Sequence, residues 1–177
     1  MDLLLRLWRP DDAADLAAAA ATTPDLAVQV GGADLSSTDA CRRYLVAVDE
    51  RRPTSLALAI TLDGHAVGNV GLSGIEHTHD TAWVSYWLAA GARGRGLAAR
   101  AVATTARWAF AELGLFRLEL GHRVNNPASC RVALAAGFPA EGIERAKLRY
   151  GQERFDVETH ARLATDPDVA LEMPAAW

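Results

Sequence analysis

The chain has 177 residues, half of them apolar and 23% charged, which suits one domain with a sizeable core. Its formal net charge of −4 argues against nucleic acid as the main ligand, because duplex binding needs a basic face. No apolar run approaches the ~18 residues of a bilayer span, and the start lacks a basic leader with a small-residue cleavage site; a cytoplasmic protein is expected. Residues 3–8 are a short apolar run broken by Arg6 and read as a strand. Pro10, Asp11 and Asp12 signal a helix start, followed by a helix over 13–20. Residues 22–35, rich in Gly, Pro and Asp, read as a loop of the kind that borders substrate sites. Ser36-Ser37-Thr38-Asp39 caps a second helix, about 39–50, which Pro53 ends; the two helices form a flap. Residues 55–62 and 66–75 are β-prone runs joined by Asp63-Gly64, a hairpin signal. Gly68, Gly71 and Gly74 in the second run suggest a bulge or a close backbone approach. After a turn at 77–80, residues 81–88 make the third strand of a meander.

The next stretch organises the chain. Residues 83–99 read W-V-S-Y-W-L-A-A-G-A-R-G-R-G-L-A-A: a strand, a loop, and a helix that runs to Glu112. That helix has Leu97, Ala101, Thr104, Trp108 and Leu113 near helical spacing, with Gly114 beyond its end. Gly94 and Gly96 let a ligand approach the backbone N–H groups, and the first helical N–H groups lie at the positive end of the helix dipole. Arg93 and Arg95 add positive charge, so the combination favours a phosphate or pyrophosphate. Residues 116–122 alternate as a strand, completing a βαβ unit with a parallel pair. Asn125-Asn126-Pro127 opens a helix over 128–136 that Gly137 closes. Residues 138–150 and 155–163 form a hairpin turning at Gly151-Gln152, and 165–177 is a polar tail without an assigned element. Cys41 and Cys130 are too few and too far apart for a disulfide framework or a metal motif, so two buried reduced thiols and no metal are expected.

Residues 94–99 also satisfy the dinucleotide pattern G-x-G-x-x-G/A, with Glu119 twenty residues beyond Ala99. Five residues separate Leu88 from Gly94, where a dinucleotide fold needs a tight turn, and the further βα units are missing. The same stretch resembles the acetyl-coenzyme A motif Q/R-x-x-G-x-G/A of the GNAT superfamily of N-acetyltransferases. Y-W-L before the loop, W-A-F-A-E-L-G-L-F-R-L-E-L after it, then N-N-P-A-S and A-A-G-F, resemble the family in order and spacing from about Val67 to Leu163. The Y-W-L and N-x-x-S elements are most similar to the RimJ/RimL branch of ribosomal-protein N-terminal acetyltransferases. The resemblance implies an α/β fold with a mixed, mostly antiparallel sheet, a central splayed parallel pair and flanking helices, in a single domain over 1–177. It implies acetyl-coenzyme A as co-substrate, with the pantetheine arm along Tyr86, Trp87 and Leu88. The pyrophosphate would lie on the amides of Arg93, Gly94, Arg95, Gly96, Leu97 and Ala98, with Asn126 and Ser129 facing the arm from the other side.

The implied reaction is direct acetyl transfer to a primary amine, needing an oxyanion donor, a proton acceptor and a donor to the thiolate. The N–H of Trp87 or Leu88 suits the oxyanion. Glu119 is the acid best placed to be the base, against an ion pair with Arg117 or Arg123 or a water chain. Ser129 is a donor to the thiolate or a cofactor-binding or capping hydroxyl. His122 is a further acid–base candidate against a solvated histidine, and Tyr150 a candidate acid against packing at a hairpin tip. Many relatives read A-E-x-G-Y-W-L where this chain reads A-W-V-S-Y-W-L, so Trp83 stands at the acid's place and Ser85 at a glycine's. Trp83 is then an aromatic wall for the substrate or a packing residue. Asp25, Asp34, Glu76 and Asp80 in the loops 22–35 and 75–81 are compatible with a cationic acceptor, either a peptide N-terminus or a small-molecule amine. A non-catalytic coenzyme A-binding module is the second reading. A homodimer through the C-terminal hairpin or tail is also expected from the resemblance.

Overall fold

The strand signals assemble into one eight-stranded sheet in the computed structural model, which describes residues 2–49 and 54–176. The strands are β1 (Leu3–Leu7), β2 (Ser55–Leu62), β3 (His65–Glu76), β4 (Thr81–Leu88), β5 (Arg117–Arg123), β6 (Ala140–Tyr150), β7 (Glu153–Leu163) and β8 (Ala175–Ala176), in the order β6-β7-β5-β4-β3-β2-β1-β8. The helices are α1 (Ala13–Thr22), α2 (Leu26–Gln29), α3 (Thr38–Asp49), α4 (Leu97–Glu112) and α5 (Pro127–Ala135). The expected end of α3 at Glu50 and Pro53 lies outside the described residues. Among the described residues no helix is long and apolar enough to cross a membrane.

The meander forms as its turns require. Asp63 and Gly64 both take positive φ, 50° and 87°, as a two-residue hairpin turn of the primed type needs. Gly68 is a close approach: a Cβ there would lie 2.6 Å from the Trp87 carbonyl oxygen. Gly74, at φ 59°, sits in the irregular register between Ser73 and Glu76. The region 22–35 is more than loop, since it carries the single turn α2, whose Leu26 is fully buried.

The parallel pair is short. β4 and β5 pair only through Thr81 with Arg117, Ala82 with Leu118 and Trp83 with Glu119. Beyond that point β4 pairs with β3 and β5 with β7, so the two strands part into a V.

Pleat alternation sends Ala82, Val84 and Leu88 into one core with Leu118, Leu120, Phe138 and α4. Trp87 goes to the other face, stacked on Trp8 at 6.0 Å in a second core with Leu16, Leu26 and Leu45. On α4, Leu97, Ala101 and Thr104 are buried as their spacing suggests and Trp108 and Leu113 are half-buried, while Ala103, Ala106 and Ala109 are fully buried as well. Alanines let the helix axis lie close to the sheet, and enlarging one would overpack the core by about 1–3 kcal/mol.

The tail also departs from expectation. Met173 is buried, Leu5 N donates to Pro174 O at 2.8 Å, and β8 runs parallel to β1, a second parallel pair where one was expected. Neither the Pro-containing run nor its polar composition announces this; the partner strand lies about as far away in sequence as the chain allows.

Candidate active site

The mouth of the V is built from backbone. After a 3-10 turn at Ala90–Ala92, Gly94 and Gly96 adopt φ of 75° and 74°, and α4 starts at Leu97. A Cβ at either glycine would meet nothing within 4 Å, so the left-handed backbone rather than crowding requires glycine there. Any other residue is strained by about 1–2 kcal/mol. Gly96, the N-cap of α4, has no side chain with which to accept from the first helical N–H groups. Arg93 departs from its expected part as a phosphate-facing cation. Its Nε donates to Leu88 O at 3.0 Å and its Nη2 to both carboxylate oxygens of Asp25 at 3.0 and 3.1 Å. Thr23 Oγ1 accepts from Ala90 N at 3.0 Å beside it. The guanidinium is thus a strut fixing the loop to the α1–α2 connection. Its backbone leads into Gly94, and Arg95 between the two glycines is exposed.

Across the V, Tyr86 and Ser129 meet. The Tyr86 hydroxyl lies 2.7 Å from Ser129 Oγ and donates to Ser129 O at 3.1 Å. Burial pushes the Tyr86 phenol above its ordinary pKa, against the lowering effect of its bond to Ser129. Asn126 is the N-cap of α5, its side-chain oxygen accepting from Ser129 N at 3.2 Å, so it orients the turn that carries Ser129. Trp87 and Leu88 point into the two cores, which leaves their main chain at the V.

The opposite face of the sheet answers the questions about Glu119 and Trp83. Glu119 Oε1 accepts from Arg117 Nε at 2.8 Å, and Arg117 Nη1 donates to Glu141 Oε1 at 3.1 Å. The two carboxylates hold Arg117 well above its ordinary pKa, Glu141 more than Glu119. The ion pair is therefore with Arg117; Arg123 instead lies over the rings of Tyr150 and Phe155, at 5.2 and 5.1 Å. Tyr150 packs on Phe155 with centroids 5.5 Å apart, the packing role at the hairpin tip. Trp83 lies over Gly121, where a Cβ would come 3.2 Å from its ring, and under Lys147 Nζ at 5.2 Å. The missing side chain at 121 makes the room that Trp83 occupies.

The loop acids have local work. Asp25 holds Arg93; Asp34 accepts from Ser36 N at 2.9 Å; Asp80 lies 3.5 Å from His77. Glu76 accepts from Thr78 N, His79 N and Thr81 Oγ1. Turn bonds engage Asp34 and Glu76, and ion pairs engage Asp25 and Asp80.

His122 is not a solvated strand-end residue. It is buried, with Nε2 3.0 Å from Nε2 of His160. Cys41 is buried as expected, but Cys130 is only half-buried; burial and the neighbouring Glu158 carboxylate push its thiol up. No local motif joins His122, Cys130, Glu158 and His160, because they come from three different elements, β5, α5 and β7.

The model of the acetyltransferase (GNAT) domain matches residues 2–139. The chain belongs to the GNAT acetyltransferase family. It is 36% identical over 107 residues to YjcK of Bacillus subtilis, described as a probable N-acetyltransferase, covering 60% of this chain and 59% of that protein. It is 32% identical over 98 residues to the ribosomal-protein-serine acetyltransferase of Escherichia coli, covering 55% and 54%. These matches span little more than half the length of the relatives. Over the whole fold, the structure of Mycobacterium smegmatis RimJ in complex with CoA-disulfide superposes with a TM-score of 0.79 at 26% identity, covering 90% of this chain and 81% of that one. The mixed, mostly antiparallel sheet with its splayed parallel pair is the GNAT fold that the residue pattern implied.

Proposed function

We propose that this chain, as a single acetyltransferase domain, is an acetyl-coenzyme A-dependent N-acetyltransferase acting on a primary amine. The observation that carries the reading is the V between β4 and β5, with two left-handed glycines and the uncapped start of α4 at its mouth. The pyrophosphate sits on the amides of residues 93–98 and the pantetheine runs along residues 86–88 towards Ser129. The amine nitrogen attacks the thioester carbonyl, a C–N bond forms, and the C–S bond breaks. The N–H of Trp87 or Leu88 faces the developing oxyanion. Ser129 Oγ gives a proton to the departing thiolate and is resupplied from the Tyr86 hydroxyl 2.7 Å away, whose proton turns from Ser129 O to Ser129 Oγ. Glu119, oriented by Arg117, takes the amine's proton, directly or through water.

The acceptor in this reading is a peptide α-amine. Its pKa near ~7.7–8.0 leaves part of it neutral at pH 7, whereas a lysine near ~10.4 is almost wholly charged. A polycationic acceptor has less support, since the loop acids are engaged locally. The protein substrate in the name of the Escherichia coli relative supports the same choice. A cytoplasmic location goes with acetyl-coenzyme A as co-substrate. The homodimer is proposed through β6, an edge strand exposed over most of its length with Ile143 57% exposed, rather than the tail, which lies on β1. Light scattering on Ile143→Glu tests it, with a monomer expected.

The function is tested by free-thiol release from acetyl-coenzyme A with a panel of Ser- and Ala-initiated peptides, an Nα-blocked lysine peptide and spermidine. Release is expected with the free-α-amine peptides and much less with the others. Tight coenzyme A binding without release for any amine makes the chain a binding module instead.

A further inference from the structure

Four side chains with metal-ligating atoms converge between β5, α5 and β7, and the acetyl-transfer reading uses none of them. They are His122, Cys130, Glu158 and His160, whose ligand atoms all lie within 4.8 Å of one another. The two imidazoles are 4% and 0% exposed. His122 Nδ1 lies 3.0 Å from Arg123 O, and His160 Nδ1 lies 2.9 Å from Phe138 O. A carbonyl oxygen only accepts, so both Nδ1 atoms carry the proton and both Nε2 atoms of the neutral rings present lone pairs. Those lone pairs face each other at 3.0 Å, and Glu158 Oε2 lies 3.3 and 3.1 Å from them. Three electron-pair donors aimed at one buried point repel unless a cation stands among them. Cys130 Sγ, within 4.8 Å of the other three ligand atoms, supplies a fourth donor.

We propose that His122, Cys130, Glu158 and His160 form a structural site for a divalent transition metal, with zinc the ion that fits best. Two imidazole nitrogens, a thiolate and a carboxylate are zinc-type donors, and four protein ligands make a closed tetrahedral site. Metal–N and metal–O lengths near ~2.1 Å with metal–S near ~2.3 Å give tetrahedron edges of about 3.3–3.6 Å. The N–N and N–O separations of 3.0–3.3 Å need only a slight opening to reach them. The dication, the thiolate and the carboxylate sum to no net charge, so the filled site leaves no unbalanced charge buried. The two carbonyls are the outer partners that fix each ring's tautomer and direction. Binding releases the Cys130 thiol proton and whatever proton the imidazoles share. The ion ties α5 to β5 and β7. Cys130 follows Ser129, so the metal holds the turn that carries Ser129 and takes no part in the reacting atoms.

The competing occupant is a proton shared between the rings with Glu158 as counter-charge, and one experiment separates the two. The full chain, purified without a histidine tag and stripped with chelator, is titrated with Zn²⁺ and with Co²⁺. One zinc per chain is expected, together with a rise in Tm. Cobalt should give the intense visible bands of a tetrahedral site and a near-ultraviolet thiolate-to-metal band. Cys130→Ser, a nearly isosteric change, should lose the thiolate band and weaken binding by at least about tenfold, and His160→Gln by about a hundredfold or more. Failure of the wild-type chain to hold zinc through dialysis overturns the site. So does a cobalt spectrum that Cys130→Ser leaves unchanged, which would put the metal on exposed histidines such as His65, His77 or His79.

Discussion

The two arms of the V are made of different material. The β4 arm, with the loop and the start of α4, presents main chain: its side chains Trp87, Leu88 and Leu97 are buried in the cores and its glycines have none. The β5 arm, with α5 and β7, presents side chains: Glu119 on Arg117 on Glu141 over one face, and the His122–Cys130–Glu158–His160 group at the other. An arm of amides depends on backbone conformation and tolerates change in most side chains. An arm of side chains depends on their identity and on packing that keeps several elements in register. Under the proposed function, the β4 arm holds the cofactor and the β5 arm carries what is particular to this protein.

Four experiments press on that division, and the largest effect is expected on the β5 side. Phe138 is fully buried, and its carbonyl accepts from His160. Phe138→Ala should cost about 3–5 kcal/mol in denaturant unfolding. Below its lowered midpoint the variant should still bind coenzyme A within about threefold of wild type, because the amides that hold the cofactor in this reading belong to residues 86–98 and not to the segment that carries Phe138. A collapse of binding in the folded variant would show that the arms are not separate.

On the β4 side, Gly96→Val should weaken coenzyme A binding more than about a hundredfold, since an isopropyl group filling the open space beside the amides adds to a backbone strain of about 1–2 kcal/mol. Tight binding retained by calorimetry would remove the cradle from the site. Ser129 belongs to both arms through its bond to Tyr86. Ser129→Ala should lower kcat about a hundredfold with KM for acetyl-coenzyme A nearly unchanged, and Tyr86→Phe about tenfold. A loss confined to KM would make Ser129 a cofactor contact alone.

The smallest effect concerns Asp168, which receives Arg107 of α4 at 2.9 Å and Arg162 of β7 at 2.9 Å and so straps the arms together. The Arg162 bond, then the Arg107 bond, hold its carboxyl below the ordinary value. A depressed folded pKa means that this stabilisation is complete above the unfolded value of about 3.9 and disappears as pH falls through the lower folded value. Because the carboxylate is 58% exposed, Asp168→Asn should cost less than about 1 kcal/mol at pH 7 and nothing in strong acid. A cost that persisted in acid would point to packing instead of charge.

Much of this was legible from residue order, and where it was not the cause is physical. The Asp63-Gly64 turn, the three-strand meander, the glycine loop opening α4 and the Pro127 helix start are short-range features whose signals lie within a few residues. Arg93 was legible as a cation but not as a strut, because Asp25 reaches it from 68 residues away in the chain. Trp83 was visible as a departure from the pattern, yet its reason, the empty space at Gly121, belongs to the neighbouring strand. The acids in the loops looked like a binding surface because turn-forming acids and ligand-binding acids have the same composition.

By itself, then, the order of residues determined the family, the strand–loop–helix with its two glycines, and the existence of a parallel pair, since each is written in contiguous residues and local backbone preference. Only the tertiary structure decided that the tail closes the sheet against β1, that Glu119 is held by Arg117, that Tyr86 meets Ser129 across the V, and that Cys130 lies among two histidines and a glutamate. Those are contacts between side chains far apart in sequence, fixed by how the strands pair and where they part.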